Sequence, residues 1–533
     1  MPYADEMVSL SALPTDPHPW SSLLSREDVV LDHGVMHVRH EDLSPEEARN
    51  ADLLQIADAL DAAGVPMLLL RHGRRQVALA VDTADRDRAW EALVALCRTE
   101  PFYAKPKGLT AIPVPDVTAH RGGPSSLRVF RPRITHGGLR YGAANAVRLE
   151  FWRMGAETIE APHANALTRR VMPTADIELT EISRFGRSWR TIAGMFDAQP
   201  AEFIQDVDMV FSWVDGSSSE FQRQRAAQME RYVVGEGDEG AARFRHVDEL
   251  RYALRSVHMY APWVRRIFIA TDSPRPAWLA DDPRVTVVPS EEFFADTSVL
   301  PIHNSHAVEA QLHHIDGLAE HFLYSNDDMF FGRPVEPELF FSPAGISRFV
   351  ECDVLIGTGA PATYRSGHDN ALRVNRALLH ERFGRTITND LEHCATPLRR
   401  SVMRELEQTF PEDFARTAGS RFRSATDVSV TNSLYHYYAM FTGRAVATTA
   451  PRTRYFQTTL ADSLRRMERL SERNDVDMFC LNDGGSGVEV PEEVRVRVVT
   501  ELLERMFPVR APWELPAVSA GSAEEPSEAS AVR

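Results

Sequence analysis

Cysteine is scarce in this chain. Four residues, Cys97, Cys352, Cys394 and Cys480, are scattered over 533 positions. No two have the spacing of a metal finger or a redox motif. That excludes a disulfide-stapled framework and suits reduced thiols in a cytoplasmic protein. Long apolar runs are also missing: none reaches the roughly 20 residues of a membrane-spanning helix. The opening Met-Pro-Tyr-Ala-Asp-Glu has neither the basic segment nor the apolar core of a signal peptide. Positive charge is in deficit, with 59 Lys+Arg against 76 Asp+Glu and a net charge of −17. This balance argues against a nucleic-acid surface or a polybasic membrane patch. What remains is ordinary globular composition, 43% apolar and 25% charged. At roughly 100–200 residues per domain, the length predicts roughly two to four domains.

The most informative stretch runs from Glu320 to Gly332. A short apolar strand around Phe322–Tyr324 breaks into Asn326-Asp327-Asp328 and is followed by Phe330 and Phe331. Acidic residues are poor strand formers, and buried carboxylates are costly unless paired or metal-bound. Two adjacent carboxylates at a strand's carboxyl end therefore suggest a cation grip, because Mg²⁺ takes one or two carboxylates plus substrate phosphates. A plain acidic turn is the alternative.

Residues 44–63 read as a helix that Ser44 caps and Gly64 ends. Two strands and a helix at residues 86–97 follow, and alternating patterns over residues 125–185 add half-exposed strands. The first 195 residues thus form an α+β domain. His163 and the Arg169-Arg170 pair read as solvated surface. Residues 207–211 are a buried strand that ends in Trp213, Asp215 and Gly216. Trp213 offers a face on which a base could stack, or is a core residue. Asp215 could bind a ribose or a metal. Asp208, inside the strand, needs a partner, structural or ligand. A polar insertion over residues 217–242 precedes an amphipathic helix, residues 246–260, in which Arg251 and Arg255 share a face. They pair with Asp248 and Glu249 or reach a phosphate.

Two more strands, residues 266–272 and 284–289, complete an alternation that predicts a parallel sheet with right-handed crossovers. Asp215, Asp272 and Asn326-Asp327-Asp328 then share one rim, where ligands of open α/β sheets bind. Asn304 or Ser305 caps the next helix, and its first amides could bind an anion. His313, His314 and His321 lack tetrahedral-site spacing and a thiolate partner, and read as surface or core histidines. Residues 364–440 are mostly helical, with helices ending near Gly384 and spanning residues 398–410. A compact basic turn, Arg421-Phe422-Arg423, follows. Asn482-Asp483 ends another short apolar strand, and a last helix covers residues 495–507. The tail, residues 516–533, is expected to be disordered.

Four blocks of this pattern resemble a known family. Residues 207–217, 244–350, 372–440 and 479–514 are similar to the four conserved regions of the Stealth proteins. These are the bacterial capsular polysaccharide phosphotransferases and the catalytic subunit of the animal N-acetylglucosamine-1-phosphotransferase. The most specific parts are Glu249-Leu-Arg-Tyr-Ala-Leu-Arg-Ser256, Ala261-Pro-Trp263, Tyr324-Ser-Asn-Asp-Asp328, Pro411-Glu-Asp-Phe414 and Arg421-Phe-Arg423. The resemblance implies a glycosyltransferase-A-like Rossmann core with a mostly helical cap. The nucleotide-sugar half would cover residues 196–363 and the helical part residues 364–515. It also implies a UDP-sugar donor, Mg²⁺ or Mn²⁺ and release of UMP. Carried over, Asp328 with Asp327 is the metal site, His393 the general base and Arg423 a phosphate clamp. Trp213, Asp215 and Gly216 belong to the nucleotide site, with Arg373 a further phosphate contact. After His393 the sequence departs from the family, because Cys394-Ala-Thr-Pro397 intervenes where many members have a Pro and a second His.

The expectation is a hexose-1-phosphate phosphotransferase with catalytic residues His393, Arg423 and Asp328. Its substrate contacts would come from Asp208, Trp213, Asp215, Gly216, Arg251, Asp272, Asn304, Asn326, Arg373 and Asn482. The acceptor would be a glycan or polyol-phosphate hydroxyl in cell-surface polysaccharide synthesis. A homodimer is compatible with the family. The expected location is cytoplasmic or peripheral at the inner membrane face. A metal-dependent glycosyltransferase releasing UDP is the nearest rival, and a non-catalytic glycan- or nucleotide-binding protein the next.

Overall fold

The computed structural model describes residues 22–117, 123–216, 247–473, 475–483 and 488–516. The predicted insertion over residues 217–242 and almost all of the predicted tail lie outside the described residues. The architecture is mixed α/β, with separate sheets before and after residue 200.

The N-terminal part is built on an eight-stranded mixed sheet. Its helix Pro45–Ala62 starts at a capping box, in which Ser44 accepts from the Glu47 amide and Glu47 reaches back to the Ser44 amide. The buried Asp52 on that helix accepts from Arg131 and Arg133 at 2.8 and 2.9 Å, fastening helix to sheet. Leu53, Ile56, Leu60, Leu79, Trp90 and Phe102 fill the core.

The central sheet has five strands among the described residues. They are β1 (Val207–Ser212), β2 (Ile267–Ala270), β3 (Val285–Val288), β4 (His321–Asn326) and β5 (Thr396–Arg399). Their spatial order is β3-β2-β1-β4-β5. The first four are parallel and β5 is antiparallel to β4. Strands buried on both faces read as continuous apolar runs, and Val207, Met209, Val210 and Phe211 are all sealed. Order reverses between β1 and β4, the switch point at which doubly wound sheets open a crevice.

Helix α1 (Glu249–Tyr260) covers one face with Leu250, Leu254 and Val257. It begins later than the predicted residue 246, which lies outside the described residues. The other face carries α2 (Gly367–Phe383) and α3 (Arg400–Thr409). The periodicity over residues 398–410 predicts helix throughout, but its first residues extend as β5. Thr396–Arg399 has a β4 edge to pair with, and tertiary pairing overrides local propensity. The strand Met478–Asn482 lies between Met329–Phe331 and Thr453–Gln457 in a small second sheet. No helix among the described residues is long and apolar enough to cross a membrane.

Candidate active site

Parallel pairing sets Ser212 of β1 beside Asn326 of β4. The Asn326 Oδ1 accepts from the Tyr324 hydroxyl at 2.9 Å and from Ser212 Oγ at 3.3 Å. Because β5 is antiparallel, with Thr396 opposite Tyr324, the residues just before β5 arrive at the carboxyl end of β4. That reversal delivers His393 to the rim. Asn482 comes from the second sheet, where the Leu481 amide donates to the Asp328 carbonyl at 2.9 Å.

These ends open into a cleft of about 660 Å³ whose lining includes His393, Arg423, Asn326 and Asn482. Of the sequence-predicted site residues, these four are brought together on its wall. His393 packs against Tyr455, with ring centroids 5.1 Å apart, and 6.1 Å from His368. Burial lowers the His393 pKa; the nearby His368 charge adds to this and Asp390 opposes it. A neutral imidazole is the form that can accept a proton.

Arg423 donates to Ser305 Oγ at 2.8 Å, which anchors the guanidinium beside the short helix Ser305–Glu309. The loop that carries it is held from behind. Asn304 Nδ2 donates to Asp427 Oδ2 at 2.8 Å and to the Ser420 carbonyl at 3.0 Å. Asp427 in turn accepts from the Ser424 amide at 2.9 Å. Gly367 opens α2 where a Cβ would come within 2.6 Å of the Arg423 Cβ, so only glycine lets this stem pass.

Asp328 stands behind the wall. Its Oδ2 accepts from the Cys480 thiol at 3.5 Å. Its Oδ1 is sealed from solvent with no hydrogen-bond partner. Burial pushes its pKa up to about 6, and Glu249 and Asp483 push the same way. An orphaned carboxylate oxygen among acids is a costly arrangement that a divalent cation would relieve. Among the described residues these acids close no three-ligand cluster; a hard cation bound here would draw further ligands from water and substrate phosphate. Asp328 and its neighbour Asp327 are the residues that would hold it.

Other expectations are corrected. Asp208 sits at the amino end of β1, where Arg265 donates to both its oxygens at 2.9 and 2.7 Å and the Ala319 amide at 2.8 Å. It is structural and remote from the rim. Arg251 donates to Glu514 at 2.8 Å, beside Arg255, which grips the same carboxylate. Glu514, far along the chain, replaces the expected partners Asp248 and Glu249. Arg373 is buried and donates to the Asp369 and Thr358 carbonyls, bracing α2 instead of the cleft. Asp272 caps the turn at Ser290, accepting its amide at 2.7 Å. Trp213 is a buried core residue, so no ring face is open for stacking. Asp215, whose amide donates to Ser273 Oγ at 2.8 Å, and Gly216 border the undescribed segment, and neither is on the cleft wall. Asn304 supports the Arg423 loop in place of touching substrate.

Several cleft residues carried no readable signal. His368 Nε2 meets Asp390 Oδ2 at 2.8 Å. Glu309 accepts from Thr431 Oγ1 at 2.6 Å and from the Tyr324 hydroxyl at 3.3 Å. The Gly-His-Asp-Asn run at residues 367–370 was the one available clue to His368, since Ser366 before it caps a helix.

Comparison with known proteins adds an independent line. The chain matches the Stealth protein conserved regions 2, 3 and 4 over residues 243–349, 392–440 and 469–524. It is 52% identical over 476 residues to "Exopolysaccharide phosphotransferase CpsY" of Mycobacterium tuberculosis, covering 89% of each chain. It is 53% identical over 473 residues to "Exopolysaccharide phosphotransferase" of Nocardia farcinica, covering 89% of this chain and 88% of the relative. With "Exopolysaccharide phosphotransferase SCO6021" of Streptomyces coelicolor it shares 39% over 514 residues, 91% of this chain and 93% of the other. Among solved structures, the galactosyltransferase LgtC in complex with donor and acceptor sugar analogs aligns with a TM-score of 0.28 at 11% identity, over 56% of this chain and 95% of that one. That likeness is too slight to argue from.

Proposed function

The chain belongs to the Stealth family of sugar phosphotransferases, and from that premise we propose that it transfers a sugar-1-phosphate from a UDP-sugar to a hydroxyl of a glycan or polyol-phosphate acceptor in cell-surface polysaccharide synthesis. The acceptor oxygen attacks the phosphorus that bears the sugar. The bond from that phosphorus to the bridging oxygen breaks, a phosphodiester forms, and UMP leaves. The observation that carries the reading is the meeting of His393 and Arg423 on one cleft wall with Asn326 and Asn482.

Phosphoryl transfer asks for positioning and charge neutralisation more than for covalent catalysis. Arg423, fixed by Ser305 and by the loop that Asn304 holds, offers a planar fork to the phosphate oxygens. His393, kept neutral by burial, takes the proton of the acceptor hydroxyl. Asn326 and Asn482 supply amide groups that orient the donor. A divalent cation at Asp327 and Asp328, when bound, would supply positive charge to the diphosphate. The switch-point crevice is where a glycosyltransferase-A-like core would seat the nucleotide. The absence of a candidate membrane span among the described residues is compatible with work on the cytoplasmic side.

Mass spectrometry of products from a panel of UDP-sugars, with Mg²⁺ and hydroxyl acceptors, tests the reading. UMP and a sugar phosphodiester are expected. UDP with a plain glycoside would overturn it in favour of a metal-dependent glycosyltransferase. Nucleotide binding without turnover of any donor would reduce the protein to a binding module.

A further inference from the structure

Two histidines that the sequence leaves without a third ligand acquire one in the fold. His313 and His314 lie in a single turn of 3₁₀ helix, Leu312–His314. Glu407 projects from α3, 93 residues on from His314. His313 Nε2 and His314 Nε2 lie 2.9 and 3.0 Å from the same oxygen, Glu407 Oε2. All three donor atoms fall within 4.8 Å of one another, the one such group of three among the described residues. His321 is no fourth member, since its Nε2 faces the Gly345 carbonyl at 3.2 Å. None of the three lines the catalytic cleft.

We infer that His313, His314 and Glu407 form a binding site for a divalent transition-metal ion of zinc's class, separate from the catalytic centre. Two imidazole nitrogens and one carboxylate oxygen are the donor set that Zn²⁺ accepts, whereas Mg²⁺ and Ca²⁺ take oxygen. A tetrahedral ion with bonds of about 2.0–2.1 Å holds neighbouring donors roughly 3.3 Å apart. The two Nε2–Oε2 spacings of 2.9 and 3.0 Å need an opening of only a few tenths of an ångström, while the two imidazole nitrogens, within 4.8 Å of each other, need a turn of a ring to close on the same ion. His313 is fully buried, while the His314 and Glu407 side chains keep 29% and 30% exposure. Solvent thus reaches the open side and can supply a fourth ligand. The turn is preset, because Arg400 Nε donates to the His313 carbonyl at 2.8 Å. The ion would clip the turn before β4 to the helix after β5, the two strands that frame the cleft. That makes it a structural staple and not a reagent.

The full chain, stripped with a chelator, is titrated with Zn²⁺ alone by calorimetry, and with Co²⁺ by visible absorption. One tight equivalent and the absorption bands of tetrahedral Co²⁺ are expected, together with a higher melting temperature. Outer-shell partners of metal sites commonly contribute about 10–100-fold in affinity, so loss of a ligand in His314→Ala or Glu407→Gln should weaken this equivalent by more than about 100-fold. Both positions are partly exposed, and circular dichroism confirms that the variants fold. If the wild-type chain binds no Zn²⁺, or both folded variants keep an unchanged isotherm, the inference fails and the cluster is a hydrogen-bonded clamp.

Discussion

Asp208 and Asp328 are two acids belonging to neighbouring strands of one sheet, and the fold treats them in opposite ways. Asp208, at the amino end of β1, receives a bidentate Arg265 and a backbone amide. Asp328, just past the carboxyl end of β4, receives a thiol on one oxygen and nothing on the other. The pattern holds more widely. Away from the cleft, Glu514 is gripped by Arg251 and Arg255, and Asp52 by Arg131 and Arg133. Burial makes any unpaired carboxylate expensive. An acid left in that condition just behind a cleft wall keeps a cost that a bound cation would relieve.

Three substitutions sharpen the contrast, and the largest effect belongs to the cleft. Arg423→Ala should lower kcat by about 10³, in the range of transition-state arginines, with little change in melting temperature. Steady-state kinetics beside calorimetry measures both, and a stability loss matching the activity loss would make Arg423 a structural residue. Asp208→Ala comes next. It strands Arg265, which is partly solvated, and an amide, so about 2–3 kcal/mol of stability should go. Activity per folded molecule should hold, as read from denaturant titration with active-site counting.

The last effect is the most diagnostic. The raised pKa of Asp328 means the folded state binds its proton more tightly than the unfolded chain does. The stabilisation is fully present below the unfolded carboxylate pKa and is lost as pH rises through about 6. Without divalent cations, Asp328→Asn should therefore be more stable than the wild type at pH 8, by up to about 3 kcal/mol. The difference should vanish near pH 4. Added Mg²⁺ should restore the wild type alone. A variant less stable than the wild type at pH 8 without cations would show that Asp328 has a native partner after all.

Much of the fold was legible. Apolar runs placed β1 to β4, Ser44 and Gly384 marked helix ends, and strand–helix alternation implied the parallel sheet. β5 was hidden, because its residues complete a helical period and only the β4 edge selects extension. At the rim, sequence pattern singled out Asn326 and Asn482, while His393 and Arg423 came with the family resemblance, and all four share one wall. The pattern could not tell Asp208 from Asp328, since a carboxylate's partner is a matter of distant chain: Arg265 in one case, a lone thiol in the other. Arg251 misled for the same reason, its true partner Glu514 lying 263 residues away. His368, in the first turn of α2, escaped because its meaning depends on Asp390, which arrives on the short strand Asn389–Leu391.

The single reversed strand has a kinetic corollary. β4 and β5 meet with His321 opposite Arg399, so the chain must travel outward through α2 and return before the pairing can close. The β1–β4 pairing, with Val207 opposite His321, spans still more chain, and such distant contacts form slowly, since loop closure precedes any reward from pairing. The cleft wall needs both pairings, so it should be completed only late in refolding.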